Sequence, residues 1–163
     1  MGRSGRSVKA EVIPVLESEK AQLRSLLRDY IRELSAYDPS LVTVDGVYDY
    51  EIPDLYWTEP THRPFWLKAD GEAAGFALVR RVADGHTEMA EFYVLPKFRR
   101  KGVGLLGART VIANFSGPWE LSEYLANPGS IAFWHKVLEG RAFTEHEYVS
   151  ERGNRRIAQR FVA

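Results

Sequence analysis

The hydrophobic residues of this chain repeat with two different periods, which separate predicted strands from predicted helices. Residues 8–15 alternate loosely between apolar and polar side chains and include β-branched residues, so they predict a first strand. Residues 36–62 have no clean period and are rich in Tyr, Asp and Pro, which predicts a long loop with room for a short helix. Residues 17–35 predict a helix with one apolar stripe, because their apolar side chains recur at steps of three and four: Leu23, Leu26, Leu27, Tyr30, Ile31 and Leu34.

The second half of the chain alternates predicted strands with two predicted helices. A hairpin at Asp70-Gly71 and a turn at 83–85 separate three strands, at 65–69, 73–82 and 86–95. The elements that follow are a helix at 102–115, a strand at 119–126, a helix from the N-cap Asn127 to Leu138, and strands at 143–150 and 156–162. This order predicts a single-domain α/β fold, with a mixed, mostly antiparallel sheet and helices on both faces.

Composition narrows the function classes. The chain has 163 residues, 45% hydrophobic and 27% charged, which fits one domain at 8–163 after a tail at 1–7 that is disordered or a cloning remnant. The chain has 22 Lys and Arg residues and 22 Asp and Glu residues. It therefore carries no net positive charge that would favour binding to nucleic acid. We expect no membrane segment and no secretory signal. The absence of Cys excludes a cysteine nucleophile and favours a cytoplasmic location.

The densest chemical signal lies where one predicted strand ends and a helix begins. In the segment Val94–Gly104, two glycines open the helix, and four cations precede them within five residues: Lys97, Arg99, Arg100 and Lys101. Successive main-chain N–H groups at a helix N-terminus, with no Cβ in the way, form a cradle for phosphate. The alternative is a solvated basic turn before a helix that tolerates glycine.

The pattern Arg99-x-x-Gly102-x-Gly104, after a strand that ends in Val94, resembles the pyrophosphate-binding motif of the GCN5-related N-acetyltransferases, the GNAT family. The specific resemblance covers residues 86–140. It implies acetyl-CoA as the acetyl donor. The main chain that would hold the pyrophosphate comprises Arg99, Arg100, Lys101, Gly102, Val103 and Gly104.

A second segment, Asn127 followed by Phe133-Trp134, resembles the family's Asn…Phe-Tyr segment, which flanks the pantetheine arm of the coenzyme. The resemblance further implies that strands 86–95 and 119–126 splay apart to admit the thioester. The main chain that would pair with the pantetheine arm belongs to Phe92, Tyr93 and Val94. An N–H group near Val94 would then polarise the thioester carbonyl.

The proton donor for the leaving thiolate is an open question in this sequence. Trp134 occupies the position where the family often has Tyr as the acid, and an indole N–H is not an acid at neutral pH. Three alternatives follow. Tyr124 or Tyr148 takes the place of the missing acid, solvent supplies the proton to the thiolate, or the chain binds acyl-CoA without turnover. We favour Tyr124 or solvent.

A base is also needed, because direct transfer requires a neutral amine and alkylamines have pKa values near 10. Glu88 and Glu91 lie on the strand that ends in Val94, and on an unbroken strand they face opposite sides. A bulge, which the family commonly has here, would re-aim one of them. Glu91 is similar to the acid of polyamine-type members and Glu88 to the base of histone-type members. We prefer Glu91; the alternative for either is a surface or salt-bridged carboxylate.

The region between the first helix and the second strand suggests the acceptor. Residues 33–61 contain seven acids and five aromatic residues but no Lys or Arg. In the family this region forms part of the acceptor cleft, so carboxylates and aromatic faces there favour a cationic amine. The candidate acceptor-binding residues are Tyr50, Asp54, Tyr56 and Trp57. Alternatively the acids are solvated, and the aromatic side chains form core or a homodimer contact.

These observations predict an N-acetyltransferase that moves an acetyl group from acetyl-CoA to a primary amine of a cationic small molecule or peptide. Because the chain has no Cys, we expect direct attack in a ternary complex. The competing class is a non-catalytic acyl-CoA-binding or interaction module of the same fold. We expect no metal: His135 and Glu139 are one helical turn apart, but no third ligand accompanies them.

Overall fold

The computed structural model describes residues 8–43 and 53–163, which contain seven strands and four helices. The strands are β1 (Ala10–Pro14), β2 (His62–Ala69), β3 (Glu72–Arg81), β4 (Thr87–Val94), β5 (Pro118–Tyr124), β6 (Phe143–Val149) and β7 (Arg155–Val162). The helices are α1 (Lys20–Leu34), α2 (Leu55–Thr58), α3 (Val103–Ala113) and α4 (Pro128–Val137).

All seven strands form one sheet in the order β1-β2-β3-β4-β5-β7-β6. Neighbours are antiparallel except β4 and β5, which are parallel. The predicted mixed, mostly antiparallel sheet is therefore confirmed, as is its formation by a meander followed by a β-α-β unit. No helix in the described ranges is both long enough and apolar enough to cross a membrane.

Several predicted boundaries shift. The helix predicted from residue 17 begins with a short 3₁₀ turn, Glu17–Glu19, before α1. β2 begins at His62 rather than at 65, because its first residues pair with the end of β3. β5 ends at Tyr124, two residues before the predicted end. Asn127 caps α4 as predicted, its side chain accepting a hydrogen bond from the N–H of Ser130 at 3.2 Å.

The core lies on both faces of the sheet. On one side, which we call the α1 face, the helical stripe of α1 packs on the central strands; the buried residues include Leu23, Leu27, Ile31, Trp66, Phe76, Leu78 and Tyr93. On the other side, the α3/α4 face, the buried residues include Val79, Met89, Ala108, Val111, Trp119, Leu121, Trp134 and Phe161. The period-3.6 stripes of the helices thus cover the alternating residues of the strands.

Two irregularities open the centre of the sheet. Leu78 pairs with Glu91 and Val79 with Met89, so Ala90 is an extra residue that forms a bulge in β4. β4 and β5 pair only at their first residues, Thr87 with Trp119 and Glu88 with Glu120. Beyond that point the two strands pair with each other no further, so they splay apart toward their C-terminal ends. Both features match what the family resemblance implied.

Candidate active site

The turn between β4 and α3 presents a run of main-chain donors. Arg100 and Gly102 have left-handed backbones, with φ of 60° and 80°, and α3 begins directly afterwards at Val103. No described residue accepts a hydrogen bond from the main-chain N–H groups of residues 100–105. Left-handed residues next to a helix N-terminus point successive N–H groups toward one concave space. We call these six groups the N–H cradle; it can bind an anion such as a diphosphate.

The side chains of this turn divide into two groups. The guanidinium of Arg99 is already engaged by other groups. Its Nε donates to the Val94 carbonyl at 2.8 Å, and its Nη2 donates to both carboxylate oxygens of Glu33 at 2.9 and 2.7 Å. Arg100 and Lys101 are exposed and form no ion pair within the described residues. The cationic side chains available beside the cradle are therefore Arg100 and Lys101.

An aromatic cluster packs beside the cradle on the α3/α4 face. Phe92 stacks on Phe133 with ring centroids 5.6 Å apart, and Trp134 meets the Phe92 ring edge-on at 5.0 Å. A Cβ on Gly104 would lie 3.3 Å from both the Phe133 ring and Val94, so a glycine there lets α3 approach α4 and β4 closely. Phe92, Phe133 and Trp134 thus lie together next to the splay.

The main chain of β4 is exposed to the splay. The N–H of Leu95 donates to Ala74 of β3 at 2.8 Å. Because edges alternate along a strand, the N–H groups of Phe92 and Val94 point toward the opening. Arg99 already binds the Val94 carbonyl, so the main-chain groups that can meet a carbonyl oxygen at this edge are the N–H donors of Phe92 and Val94.

The bulge brings both candidate bases to the same face of the sheet. Glu91 pairs with Leu78 and Glu88 with Arg80, and these two β3 positions face α1. Tyr30 of α1 donates to Glu91 at 2.5 Å. Glu88 instead accepts from Arg80 at 2.7 Å and lies 3.4 Å from His86. Glu88 therefore forms an ion pair with a guanidinium, whereas Glu91 accepts a hydrogen bond from a neutral hydroxyl.

Tyr124 lies at the end of β5 on the α1 face. Its hydroxyl donates to buried Asp38 at 3.4 Å, and its ring stacks on Tyr37 at 6.0 Å, with the Arg156 guanidinium 4.2 Å from its centroid. Burial raises the pKa of Tyr124 first, and the charges of Asp38 and Glu91 raise it further, partly offset by Arg156. Tyr124 and Glu91 therefore share one electrostatic environment.

The predicted acceptor-binding residues separate in the structure. Tyr56 of α2 is buried, packs edge-on against His62 at 5.0 Å, and has its pKa raised by burial and then by the charge of Glu91. Trp57 donates its indole N–H to the Val15 carbonyl at 3.0 Å. Asp54 forms an ion pair with Lys20, whose ammonium also lies 5.2 Å from the Trp57 ring. Tyr56 thus lies within electrostatic range of Glu91, whereas Asp54 and Trp57 hold α2 against the segment around α1. Tyr50 lies outside the described residues.

Sequence reasoning missed three tyrosine–carboxylate pairs that line the α1 face of the splay. They are Tyr30–Glu91, Tyr93–Glu33 at 3.0 Å, and Tyr124–Asp38. The spacing of Tyr30 and Glu33, one turn apart on α1, is the signal that was available, but Tyr30 also fits the apolar stripe. In the second pair, burial first and then Glu33 raise the pKa of Tyr93 to about 12.

A group of potential metal ligands lies at the start of β4 and β5. The ligand atoms of His86, Glu88 and Glu120 are within 4.8 Å of one another. Arg80 contacts Glu88 at 2.7 Å and Arg160 contacts Glu120 at 2.5 Å. Because a guanidinium already neutralises each carboxylate, we assign this group to a charge network between strands.

Comparison with known proteins defines the class. The family model described as the acetyltransferase (GNAT) family matches residues 23–139. That is more than half of the chain, so the chain belongs to this family. Its class as an acetyl-CoA-dependent N-acetyltransferase follows from that membership. A search of curated protein sequences found no match.

Solved structures share the fold at low sequence identity. The ribosomal-protein-S18-alanine N-acetyltransferase from Escherichia coli has a TM-score of 0.59 at 15% identity, over 94% of both chains. A spermidine N-acetyltransferase chimera of SpeG from Vibrio cholerae and hSSAT has a TM-score of 0.66 at 13% identity, over 94% of this chain and 95% of that one. AAC(6')-Ib in complex with paromomycin and acetyl-CoA has a TM-score of 0.69 at 13% identity, over 94% of this chain and 93% of that one.

Proposed function

We propose that this chain transfers an acetyl group from acetyl-CoA to a primary amine by direct attack in a ternary complex. The observation that carries the proposal is the N–H cradle at residues 100–105, which follows the strand that borders the splay. Glu91 lies on that same strand, next to the bulge at Ala90. The proposed donor anchor follows the C-terminal end of β4, and the proposed base lies on the same strand next to its bulge.

The fit of the coenzyme rests on groups that the chain leaves unused. The cradle offers six N–H donors for the diphosphate, and Arg100 and Lys101 add positive charge beside it. Asn127 has an amide nitrogen without a hydrogen-bond partner among the described residues, next to the aromatic cluster of α4. When bound, acetyl-CoA supplies an activated acetyl group as a thioester. The Val94 N–H would hold the thioester carbonyl and stabilise the negative charge that develops on its oxygen.

Glu91 is the proposed base. An alkylamine is mostly protonated at neutral pH, so its nitrogen must lose a proton before it can attack. Glu91 accepts that proton directly or through one water, and the Tyr30 hydroxyl fixes the orientation of its carboxylate. Glu88 is the weaker candidate because Arg80 already binds it. With no Cys in the chain, we expect no acetyl–cysteine intermediate.

The acceptor is proposed to be a cationic amine that enters from the α1 face. Glu91 and Asp38, with the rings of Tyr30, Tyr37 and Tyr124, offer carboxylates and aromatic faces there. Such a surface attracts ammonium groups by charge and by cation–π contact. The acetyltransferases with the same fold include enzymes named for spermidine and for a ribosomal-protein alanine, so small cations and peptide N-termini both belong in an acceptor screen.

The test is release of free thiol from acetyl-CoA in the presence of a panel of amines. The panel should contain polyamines, aminoglycosides, peptides with free N-termini and lysine peptides, with each amine's uncharged analogue as control. We expect thiol release that depends on one class of amine and a mass increase of one acetyl group on that amine. Binding of coenzyme A with no thiol release in the presence of any amine would favour the second candidate, a non-catalytic acyl-CoA-binding module. The observation that favours this candidate is Trp134, which stands where the family often has Tyr as the acid.

A further inference from the structure

Glu123 of β5 is a buried carboxyl group to which the proposed transfer assigns no role. Its side chain is 3% exposed, and neither carboxyl oxygen has a hydrogen-bond partner among the described residues. Gln159 of β7, which is fully buried, lies beside it, and its Oε1 is also without a partner. A neutral carboxylic acid suits such a place far better than an unpaired carboxylate, whose burial is costly.

The charged groups around Glu123 do not supply a counterion. Gln159 donates its amide N–H to Glu145 at 2.9 Å, and Glu145 also contacts His135 at 2.5 Å. Arg156 is in electrostatic range, but its guanidinium bonds to the main-chain oxygen of Ser122 at 3.1 Å. Burial raises the pKa of Glu123 to about 8, with a smaller upward effect of Glu145 and smaller downward effects of Gln159 and Arg156.

The side chain of Glu123 lies on the α3/α4 face. Trp119 and Leu121 belong to the buried cluster on that face, and β5 pairs with β7 without a bulge. Alternation therefore puts Glu123 on the same face. Phe92 of β4 packs against that cluster too, and Trp134 covers Phe92.

Glu123 also lies at the level of the reaction site along the splay. Glu88 is level with Glu120 in the parallel pair. From this pair onward the two strands advance residue by residue, except that Ala90 is an extra residue in β4. Phe92 of β4 is therefore level with Glu123 of β5. Glu91 is one level earlier and faces α1. A base on one face and a carboxylic acid on the other thus flank the opening between the two strands.

The transfer requires an acid on the donor side. The sulfur of coenzyme A leaves with the bonding electrons, and Trp134 cannot protonate it. Tyr124 lies on the α1 face, where burial holds its proton more tightly than in free tyrosine. A thiol has a pKa of about 8.5, and proton transfer is most efficient between groups of similar pKa.

We propose that Glu123 is the catalytic acid, and that its buried carboxyl gives its proton to the sulfur of coenzyme A as the thioester breaks. This inference rests on the proposed acetyl transfer. Glu91 first takes one proton from the ammonium form of the acceptor and passes it to solvent. The nitrogen–carbon bond then forms as the carbon–sulfur bond breaks; the second amine proton goes to Glu91 and the Glu123 proton to the sulfur. After the products leave, Glu91 releases its proton to solvent and Glu123 takes one up.

The first test compares Glu123→Gln with the wild type. Glutamine keeps the size and neutrality of the acid and can donate to Gln159, so the variant should fold. We expect kcat to fall by about 100-fold, within the range for loss of a general acid, with coenzyme A affinity by calorimetry changed less than about twofold. Glu145→Gln, which alters the neighbouring carboxylate, is the matched control and should keep normal kcat.

The second test does not depend on turnover. Infrared difference spectra should show a protonated carboxyl band near neutral pH that is absent from Glu123→Gln. This band should shift when coenzyme A binds but not when desulfo-coenzyme A, which lacks the sulfur, binds. A band that ignores the sulfur, or a normal kcat in Glu123→Gln, would overturn the assignment.

The outcomes separate this inference from the proposed function. If the wild type neither binds coenzyme A nor releases thiol, the proposed function fails and this inference fails with it. If the wild type turns over and Glu123→Gln equals it, only the acid assignment fails. A large loss in Tyr124→Phe together with normal kcat in Glu123→Gln would assign the proton to Tyr124 instead.

Discussion

The raised pKa of Glu123 makes a quantitative prediction about folding that is independent of catalysis. The ordinary pKa of a glutamate is 4.5, and burial raises it to about 8 in the folded chain. At a pH between these two pKa values, the folded state therefore holds a proton that the unfolded state has released. Stability from this group is fully present below pH 4.5 and is lost as pH rises toward 8.

The size of the effect follows from the difference in pKa. One pKa unit corresponds to about 1.4 kcal/mol, so at pH 7 the ionisable group costs the folded state about 3 kcal/mol relative to a neutral isostere. Glu123→Gln removes the ionisable group and keeps its shape. We expect the variant to exceed the wild type in free energy of unfolding by about 3 kcal/mol at pH 7, and by less at pH 5.

Urea unfolding followed by tryptophan fluorescence measures this difference, since the chain has four Trp residues. Wild type and variant should be compared at pH 5, 7 and 8.5 with the same buffer ions. Glu145→Gln gives the opposite sign: hydrogen bonds from Gln159 and His135 lower the pKa of Glu145, so its removal should destabilise the fold near neutral pH. Equal pH dependence in wild type and Glu123→Gln would refute the reasoning.

Three further predictions concern the site. Glu91→Gln should lower kcat about 100-fold while coenzyme A affinity stays normal, as calorimetry and steady-state rates will show; normal turnover removes Glu91 from its role. Gly102→Glu should abolish coenzyme A binding by placing bulk and negative charge at the cradle, whereas Gly153→Glu, at the same positive φ in open space, should bind normally. Tyr30→Phe removes the hydroxyl that holds Glu91 and should lower kcat about tenfold with an unchanged KM for acetyl-CoA; a changed KM alone would contradict the positioning role.

Local pattern was enough to predict most of the fold. The α1 stripe, the Asp70-Gly71 turn and the Asn127 cap depend on neighbours within a few residues, and all three are confirmed. The bulge and the splay came from the resemblance, because hydrophobic alternation carries no record of one extra residue or of two strands that part. The strand boundaries shifted where pairing with a partner strand, rather than local propensity, decided the end.

The side-chain contacts of the site were much harder to predict. Tyr30 and Glu91 are 61 residues apart, and Arg99 and Glu33 are 66 apart, so only the folded sheet brings them together. For the same reason His135 of α4 contacts Glu145 of β6, and the sequence suggested only Glu139, its neighbour one turn along the helix. A buried carboxylic acid such as Glu123 has no sequence signal that predicts its protonation, because burial by the folded sheet and not the local sequence raises its pKa.

Binding of coenzyme A at the N–H cradle is tested most directly by a nitrogen-15 nuclear magnetic resonance titration of the labelled chain with coenzyme A. We expect the largest amide shifts on residues 100–105, whose N–H groups have no acceptor in the described fold, with a second group at Phe92 and Val94. No shift in these amides at saturating coenzyme A, or the largest shifts at a distant surface such as β6, would contradict it.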